Sequence, residues 1–296
     1  MRLAFSKMHG LGNDYIFIFV TTSDQEIPVT PELVRRLSDR HRGIGSDGLI
    51  LVHPPRAREN DCRMEMYNAD GSRSEMCGNG IRCVGRLLHE RGIARRETLR
   101  VETDAGVRTL RLHLSPEGDL KNVAVDMGPP GLRRRDVPLV DGGAPEEPAI
   151  AIPVDLDGRS LLLTGVSMGN PHAVLRVDDP SSGPPVSLDD LPVETWGPRL
   201  ERHSWFPRRT NVEFVRVRSP SELELRVWER GSGETLACGT GACAAVVAGV
   251  VGNWCERRVT VHLRGGELDV EWRDEPGGSV WMTGPAVEVF RGEVEL

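Results

Sequence analysis

Cys77-Gly78-Asn79-Gly80 and Cys238-Gly239-Thr240-Gly241 are near copies of one another, and each leads straight into an apolar stretch. Their surroundings repeat as well. Gly12-Asn13 lies 64 residues before the first cysteine (77 − 13), and Gly169-Asn170 lies 68 before the second (238 − 170). A polar residue stands nine positions before each cysteine, Asn68 and Glu229. The repetition predicts a duplicated fold that delivers two thiols to one place. Two thiols facing each other across a substrate suit taking a proton from one face of a carbon and returning one to the other.

Working outward, the first turn opens a helix predicted over Asn79–Arg91, with Ile81, Val84, Leu87 and Leu88 at helical spacing and Gly92 as its stop. The second opens Ala242–Val251, apolar on every face and therefore a core helix wrapped by sheet. A further helix is expected at Pro31–His41, capped by Thr30. Runs of alternating polarity mark strands at Tyr15–Val20, Leu49–His53, Arg63–Tyr67, Val107–Leu114 and Val123–Met127. After a Gly- and Pro-dense stretch, Gly128–Pro148, strands resume at Ser160–Val166, Ala173–Val177, Val212–Val217, Glu222–Trp228, Val259–Leu263 and Leu268–Trp272. Asp178–Pro198 reads as a long polar connection with one short element. Strands and helices do not alternate regularly, so the class is α+β, with many strands and one central helix in each half. The halves are expected at residues 1–128, completed by 284–296, and at 129–283.

At 296 residues, 39% hydrophobic and 27% charged, the chain can bury two cores and is not of disordered composition. A net charge of −7 gives no general attraction to nucleic acid or to anionic membrane. Met1–Gly10 lacks the apolar centre of a signal peptide, and Ala242–Val251 is about half the roughly 20 residues of a membrane span. A cytoplasmic protein is expected. Six cysteines are sparse for a disulfide scaffold, and none has Cys-x-x-Cys spacing, so neither a zinc ribbon nor a thioredoxin-like site is indicated; no metal is expected. Only two lysines occur, Lys7 and Lys121, and neither sits in a phosphate-binding context, which argues against pyridoxal phosphate and for chemistry with no cofactor.

A cysteine at a helix N-terminus sits among unpaired N–H groups at the positive end of the helix dipole, which favours the thiolate. The same N–H groups can hold a carboxylate, and the glycines let the backbone approach it. The plainer reading is that a free cysteine is a small buried hydrophobe. That reading is adopted for Cys62, Cys83, Cys243 and Cys255. Asn13 and Asn170 beside glycine can be ordinary turn residues, Glu229 and Arg230 a surface pair, and His172 after Pro171 a strand-start residue.

The segment Lys7-Met8-His9-Gly10-Leu11-Gly12-Asn13-Asp14-Tyr15 resembles the opening signature of the diaminopimelate epimerases. So do Asn68-Ala69-Asp70-Gly71-Ser72, Glu75-Met76-Cys77-Gly78-Asn79-Gly80-Ile81-Arg82, Met168-Gly169-Asn170-Pro171-His172-Ala173 and Thr210-Asn211-Val212-Glu213. Glu229-Arg230-Gly231, Gly233-Glu234-Thr235, Ala237-Cys238-Gly239-Thr240-Gly241 and Met282-Thr283-Gly284-Pro285-Ala286 complete the series in order. The resemblance implies two pseudo-symmetric domains, each a mixed sheet rolled around a central helix, with the active site in the cleft between them. It implies interconversion of LL- and meso-diaminopimelate without a cofactor, towards lysine and peptidoglycan. Cys77 and Cys238 would be the paired acid and base, with Cys238 taking the proton in the LL-to-meso direction. His172 and Glu229 would tune the thiols or position the ammonium. Gly78, Asn79, Gly239 and Thr240 would hold the reacting carboxylate. Asn13, Asn68, Asn170, Asn211, Glu229 and Arg230 would bind the rest, with Arg230 on the distal carboxylate. The family is commonly a homodimer, and Phe290 stands where its contact segment often has tyrosine.

The chain departs from the family at Gly48, where some members carry a glutamine ligand, so a contact from that loop must come from backbone or another residue. Three other readings remain. A proline or hydroxyproline racemase of similar fold would usually place histidine where this chain has Asn79. A thiol–disulfide protein would lack a resolving partner here. A non-catalytic module could bind anions at the two helix ends.

Overall fold

The computed structural model describes residues 2–20, 27–93, 96–182, 186–275 and 277–295. The chain divides into two compact units, Met1–Asp126 with Thr283–Leu296, and Met127–Met282.

In the first unit, β1 (Arg2–Gly10) and β2 (Asn13–Phe19) form a hairpin in which Gly10 faces Asn13. Helix α1 (Pro31–Ser38) crosses to β3 (Gly48–His53), which pairs parallel with β2, as a helical crossover permits. Strand β4 (Cys62–Asn68) runs antiparallel to β3, and the short β5 (Arg73–Ser74) folds back on it. Helix α2 (Gly78–Glu90) then leads to β6 (Thr98–Thr103), parallel to β4, and a meander of β7 (Gly106–Leu114) and β8 (Leu120–Asp126).

The second unit runs through the same series. Strands β9 (Ile152–Leu156), β10 (Arg159–Ser167) and β11 (Pro171–Arg176) are antiparallel neighbours. Helix α3 (Val193–Glu201) crosses to β12 (Asn211–Ser219), parallel to β11, and β13 (Glu222–Glu229) returns antiparallel. Short β14 (Gly233–Thr235) folds back, and helix α4 (Gly239–Val251) leads to β15 (Arg258–Leu263), parallel to β13. Strands β16 (Gly266–Trp272) and β17 (Val280–Gly284) follow; the last strand, β18 (Val287–Glu295), belongs to the first unit, where it pairs antiparallel with β1 as β9 does with β10 in the second. Asn68 and Glu229 each end the strand before the return, and both helices that follow span 13 residues.

The central helices explain the order. In α2, Ile81, Val84, Leu87 and Leu88 are fully buried, and the helix packs on β1, β2, β7 and β8. In α4 everything from Gly241 to Gly249 is buried against β10 to β13, β15 and β16, matching its apolar sequence. Each buried valine or leucine contributes roughly 1.5–3 kcal/mol. The α+β class expected from the sequence is the architecture found.

Several elements differ from expectation. Met1–Gly10, read only for a leader, holds β1, and β5, β6, β9, β14, β17 and β18 were not anticipated. Helix α1 stops at Ser38 instead of His41, because Asp39 turns extended and its carboxylate accepts the N–H groups of His41 and Arg42. The Gly128–Pro148 stretch is no free connection. It carries a 3-10 turn at Arg134–Asp136, bridges Gly131 to Ser167, and buries Val137 and Leu139 in the second unit's core. The connection after Asp178 contains α3, whose Val193, Trp196 and Leu200 are buried; residues 183–185 of it lie outside the described residues. Cys255 is half-buried, whereas Cys62, Cys83 and Cys243 are core residues as read. Among the described residues no helix is long and apolar enough to cross a membrane, and no cluster of three or more His, Cys, Asp or Glu side chains could hold a metal ion.

Candidate active site

In the first unit Cys77 is the residue that caps α2. Its backbone is extended, and its Sγ accepts the N–H of Gly80 at 3.5 Å. A cysteine in this place is an N-cap whose sulfur does the work usually done by a serine or aspartate oxygen. Two further groups reach the sulfur: the Tyr15 hydroxyl donates to it at 3.5 Å, and the thiol can donate to Asn13 Oδ1 at 3.6 Å. Asn13 begins β2 directly after the hairpin turn. Its amide is held by donation from Nδ2 to Asp47 at 2.8 Å and by acceptance from Asn79 Nδ2 at 3.2 Å. Asp47 in turn takes Arg40 at 2.9 Å. Fully buried Arg82 ties the turn down, donating to Asn79 Oδ1 and to the carbonyls of Gly78 and Pro285. Cys77, Asn13, Gly78 and Asn79 are thus gathered in one place. Asn68 ends β4 and makes its bonds with Ser72 inside its own turn.

The second unit repeats the arrangement with different partners. Cys238 caps α4, and its Sγ accepts the N–H of Gly241 at 3.4 Å, with the Thr240 hydroxyl also at 3.4 Å. Asn170, on the turn before β11, donates from Nδ2 to Thr240 Oγ1 at 3.4 Å. Its Oδ1 lies 3.0 Å from His172 Nε2, and the other ring nitrogen of His172 lies 2.7 Å from Glu213 Oε1. Glu229 accepts the Thr235 hydroxyl at 2.5 Å. Asn211 joins β11 to the turn after β13, donating to the Pro171 carbonyl and accepting the Arg230 N–H at 2.8 Å. The Arg230 side chain is exposed, with one donor on the Arg208 carbonyl.

The electrostatics of Cys238 depart from the helix-terminus expectation. Burial pushes this thiol well above its usual value, and the fields of Glu229 and Glu213 push it further. The Thr240 hydroxyl and the Gly241 N–H act the other way but are outweighed. The cause is local: a thiolate here would be desolvated beside two carboxylates, and one helix end does not offset that. Burial likewise raises the Glu213 carboxyl, against the pull of His172. Tyr15 is raised well above the ordinary phenol by burial and then by Cys77.

Glu213, Asp47 and Tyr15 have direct roles in these networks that the sequence reading does not assign. Glu213 is a fully buried carboxylate in an apolar strand, and a lone acid between Val212 and Phe214 is the signal that was available. Asp47 sits in a polar loop with nothing to distinguish it. Tyr15 looks like one more apolar residue of β2.

A family model described as diaminopimelate epimerase matches residues 5–132 and 164–289. A diaminopimelate epimerase of Leptospira biflexa is 47% identical over 296 residues, covering 100% of both chains. One of Moorella thermoacetica is 49% identical over 293 residues, covering 99% of each. Among solved structures, a hydroxyproline epimerase from Agrobacterium vitis superposes with a TM-score of 0.68 at 13% identity, over 99% of this chain and 92% of that one. A phenazine biosynthesis protein of the PhzF family from Bacillus anthracis gives 0.68 at 14% identity, over 100% of both. At such identities the structural likeness speaks for the fold alone.

Proposed function

The chain belongs to the diaminopimelate epimerase family, and on that premise we propose that it interconverts LL- and meso-2,6-diaminopimelate, with Cys77 and Cys238 as the paired acid and base. The observation that supports this reading is the matched capping of two helices by cysteine: in each half one sulfur is set among helix-terminal N–H groups, with a threonine or asparagine beside it. Inversion at a carbon needs one group to remove a proton from one face and another to supply a proton to the opposite face, and each half of the fold contributes one such group.

In the LL-to-meso direction Cys238 takes the α-proton and Cys77 donates one. Cys238 must first ionise against burial and two carboxylates. The substrate's α-ammonium, arriving beside Glu229, supplies the positive charge that lowers this cost. The N–H groups of the turns at Gly78-Asn79 and Gly239-Thr240 hold the α-carboxylate, where negative charge grows as the proton leaves. Asn13, Asn68, Asn170 and Asn211 position the chain of the substrate. Arg230, whose guanidinium is exposed, pairs with the distal carboxylate. His172 and Glu229 tune the Cys238 thiol or position the ammonium. No Schiff-base lysine is required: Lys7 is buried in an ion pair with Asp14 at 2.5 Å, and Lys121 is on the exposed side of β8. The reading extends to a homodimer formed through the C-terminal strand, where Val287, Val289 and Phe290 are exposed, and to work in the cytoplasm.

The test is direct. Purified protein given LL-diaminopimelate, with no pyridoxal phosphate added, should bring LL and meso forms to a common mixture by chiral chromatography. Substrate of unchanged configuration would refute the proposal.

A further inference from the structure

We infer that the Tyr15 hydroxyl is the positioning residue of the first thiol: it holds Cys77 Sγ by donation and stabilises the sulfur anion that forms when Cys77 gives up its proton. The inference rests on the acid/base role proposed for Cys77.

Three observations carry it. The Tyr15 hydroxyl lies 3.5 Å from Cys77 Sγ, opposite in sense to the thiol's own acceptor, Asn13 Oδ1, at 3.6 Å. Tyr15 is only 5% exposed and fixed in β2, so the hydroxyl is delivered by strand and not by a mobile loop. Beside the ring stands Gly48, its partner in the parallel β2–β3 pairing. A Cβ on Gly48 would stand 2.1 Å from the Tyr67 carbonyl oxygen and 3.1 Å from Tyr15 Cε1. A side chain at Gly48 would thus press first on the β4 backbone and then on the edge of the tyrosine ring.

The two contacts divide the work between protonation states. As a thiol, Cys77 has one proton to donate, and Asn13 Oδ1 accepts it; the Asn13 amide is held in that sense by Asp47. When the S–H bond breaks and the proton passes to carbon, the electron pair stays on sulfur. Two donors already point at it, Tyr15 O–H and Gly80 N–H, and hydrogen bonds to an ion are about twice as strong as neutral ones. The phenol keeps its proton throughout, since burial and the neighbouring sulfur hold its ionisation well above neutral pH. Among the described residues, Asp47 acts on Tyr15, the buried Cys83 further along α2 feels Cys77, and the Arg82 guanidinium lies on the same turn, bonded to Gly78 and Asn79.

The experiment reads the thiol itself. In Tyr15→Phe, iodoacetamide labelling of Cys77, resolved by peptide mass spectrometry across pH, should show its midpoint raised by about one unit. The Cys238 midpoint in the same sample should not move. The value of kcat/KM should fall about tenfold in both directions, as a fixed equilibrium requires. Because Tyr15 and Tyr67 are the only tyrosines, replacing all tyrosine by 3-fluorotyrosine in a Tyr67→Phe background alters Tyr15 alone. The more acidic phenol should lower the Cys77 midpoint. A folded Tyr15→Phe protein, or the fluorinated one, with an unshifted Cys77 midpoint overturns the inference. Turnover retained by Cys77→Ala would instead refute the proposed function, because labelling reads the hydrogen bond without catalysis.

Discussion

His172 Nδ1 lies 2.7 Å from Glu213 Oε1, and both side chains are fully buried. The other nitrogen, Nε2, faces Asn170 Oδ1, a carbonyl that can only accept, so Nε2 carries a proton. One further proton is then shared between Nδ1 and Glu213, either as imidazolium with carboxylate or as imidazole with carboxylic acid. Both forms are neutral overall, which is how two ionisable groups can be buried next to a thiol. The polarity continues outward: Asn170 donates to Thr240 Oγ1, leaving the threonine hydroxyl free to donate to Cys238 Sγ.

From this follows a contrast between two substitutions. Glu213→Gln can donate from its amide to Nδ1 of a neutral His172, which leaves Nε2–H in place. It should cost about 1 kcal/mol of stability. Glu213→Leu leaves His172 without its partner and should cost about 3 kcal/mol, with a larger loss of kcat. Urea unfolding and steady-state rates on both variants check this. Equal losses would show that the hydrogen-bond partner at Nδ1 does not hold the tautomer.

A second prediction concerns the pH at which Cys238 ionises in the absence of substrate. Its folded value is raised, so the thiolate fraction at neutral pH lies below that of an ordinary cysteine. Alkylation of Cys238 should therefore need pH above the usual midpoint of about 8.5. Glu229→Gln removes the larger of the two opposing fields and should move the midpoint down. A Cys238 that alkylates rapidly at neutral pH would contradict the electrostatics of this half-site.

Much of this arrangement was legible in the chain. The doubled Cys-Gly-x-Gly turns foretold two capped helices, and the matching positions of Asn68 and Glu229 turned out to be matching strand ends, β4 and β13. The strands that were missed are those whose reason to exist is remote. Strand β18 alternates over a largely exposed surface and pairs with β1 from the far end of the chain, a pairing no local pattern can show. Gly128–Pro148 has the composition of a linker, yet Val137 and Leu139 are enough to pin it to a core. The charge balance at Cys238 differs from the helix-end expectation for a related reason: burial and two carboxylates brought in from β12 and β13 are tertiary facts, while the helix end is a local one.

The third prediction is for Arg230. Its side chain is exposed and has a single bond to the Arg208 carbonyl, so Arg230→Lys should leave stability nearly unchanged. A single ammonium cannot reproduce the two-pronged grip on a carboxylate, and kcat/KM should fall by about 2–4 kcal/mol. Thermal unfolding together with kcat/KM separates the two effects. Unchanged kcat/KM would remove Arg230 from the substrate.

The central claim is that two different thiols handle the two protons, and isotope exchange tests it most directly. In deuterated water, LL-diaminopimelate should give meso product labelled at the inverted α-carbon, because the donating thiol carries a solvent-derived proton. At low conversion the recovered LL substrate should be almost unlabelled, since the abstracting thiol returns the original proton to the face it came from. Cys77→Ala and Cys238→Ala should each abolish turnover, because each removes the base of one direction and the acid of the other. Equal deuterium in substrate and product early in the reaction would contradict the account, even in a protein that proved to be an epimerase.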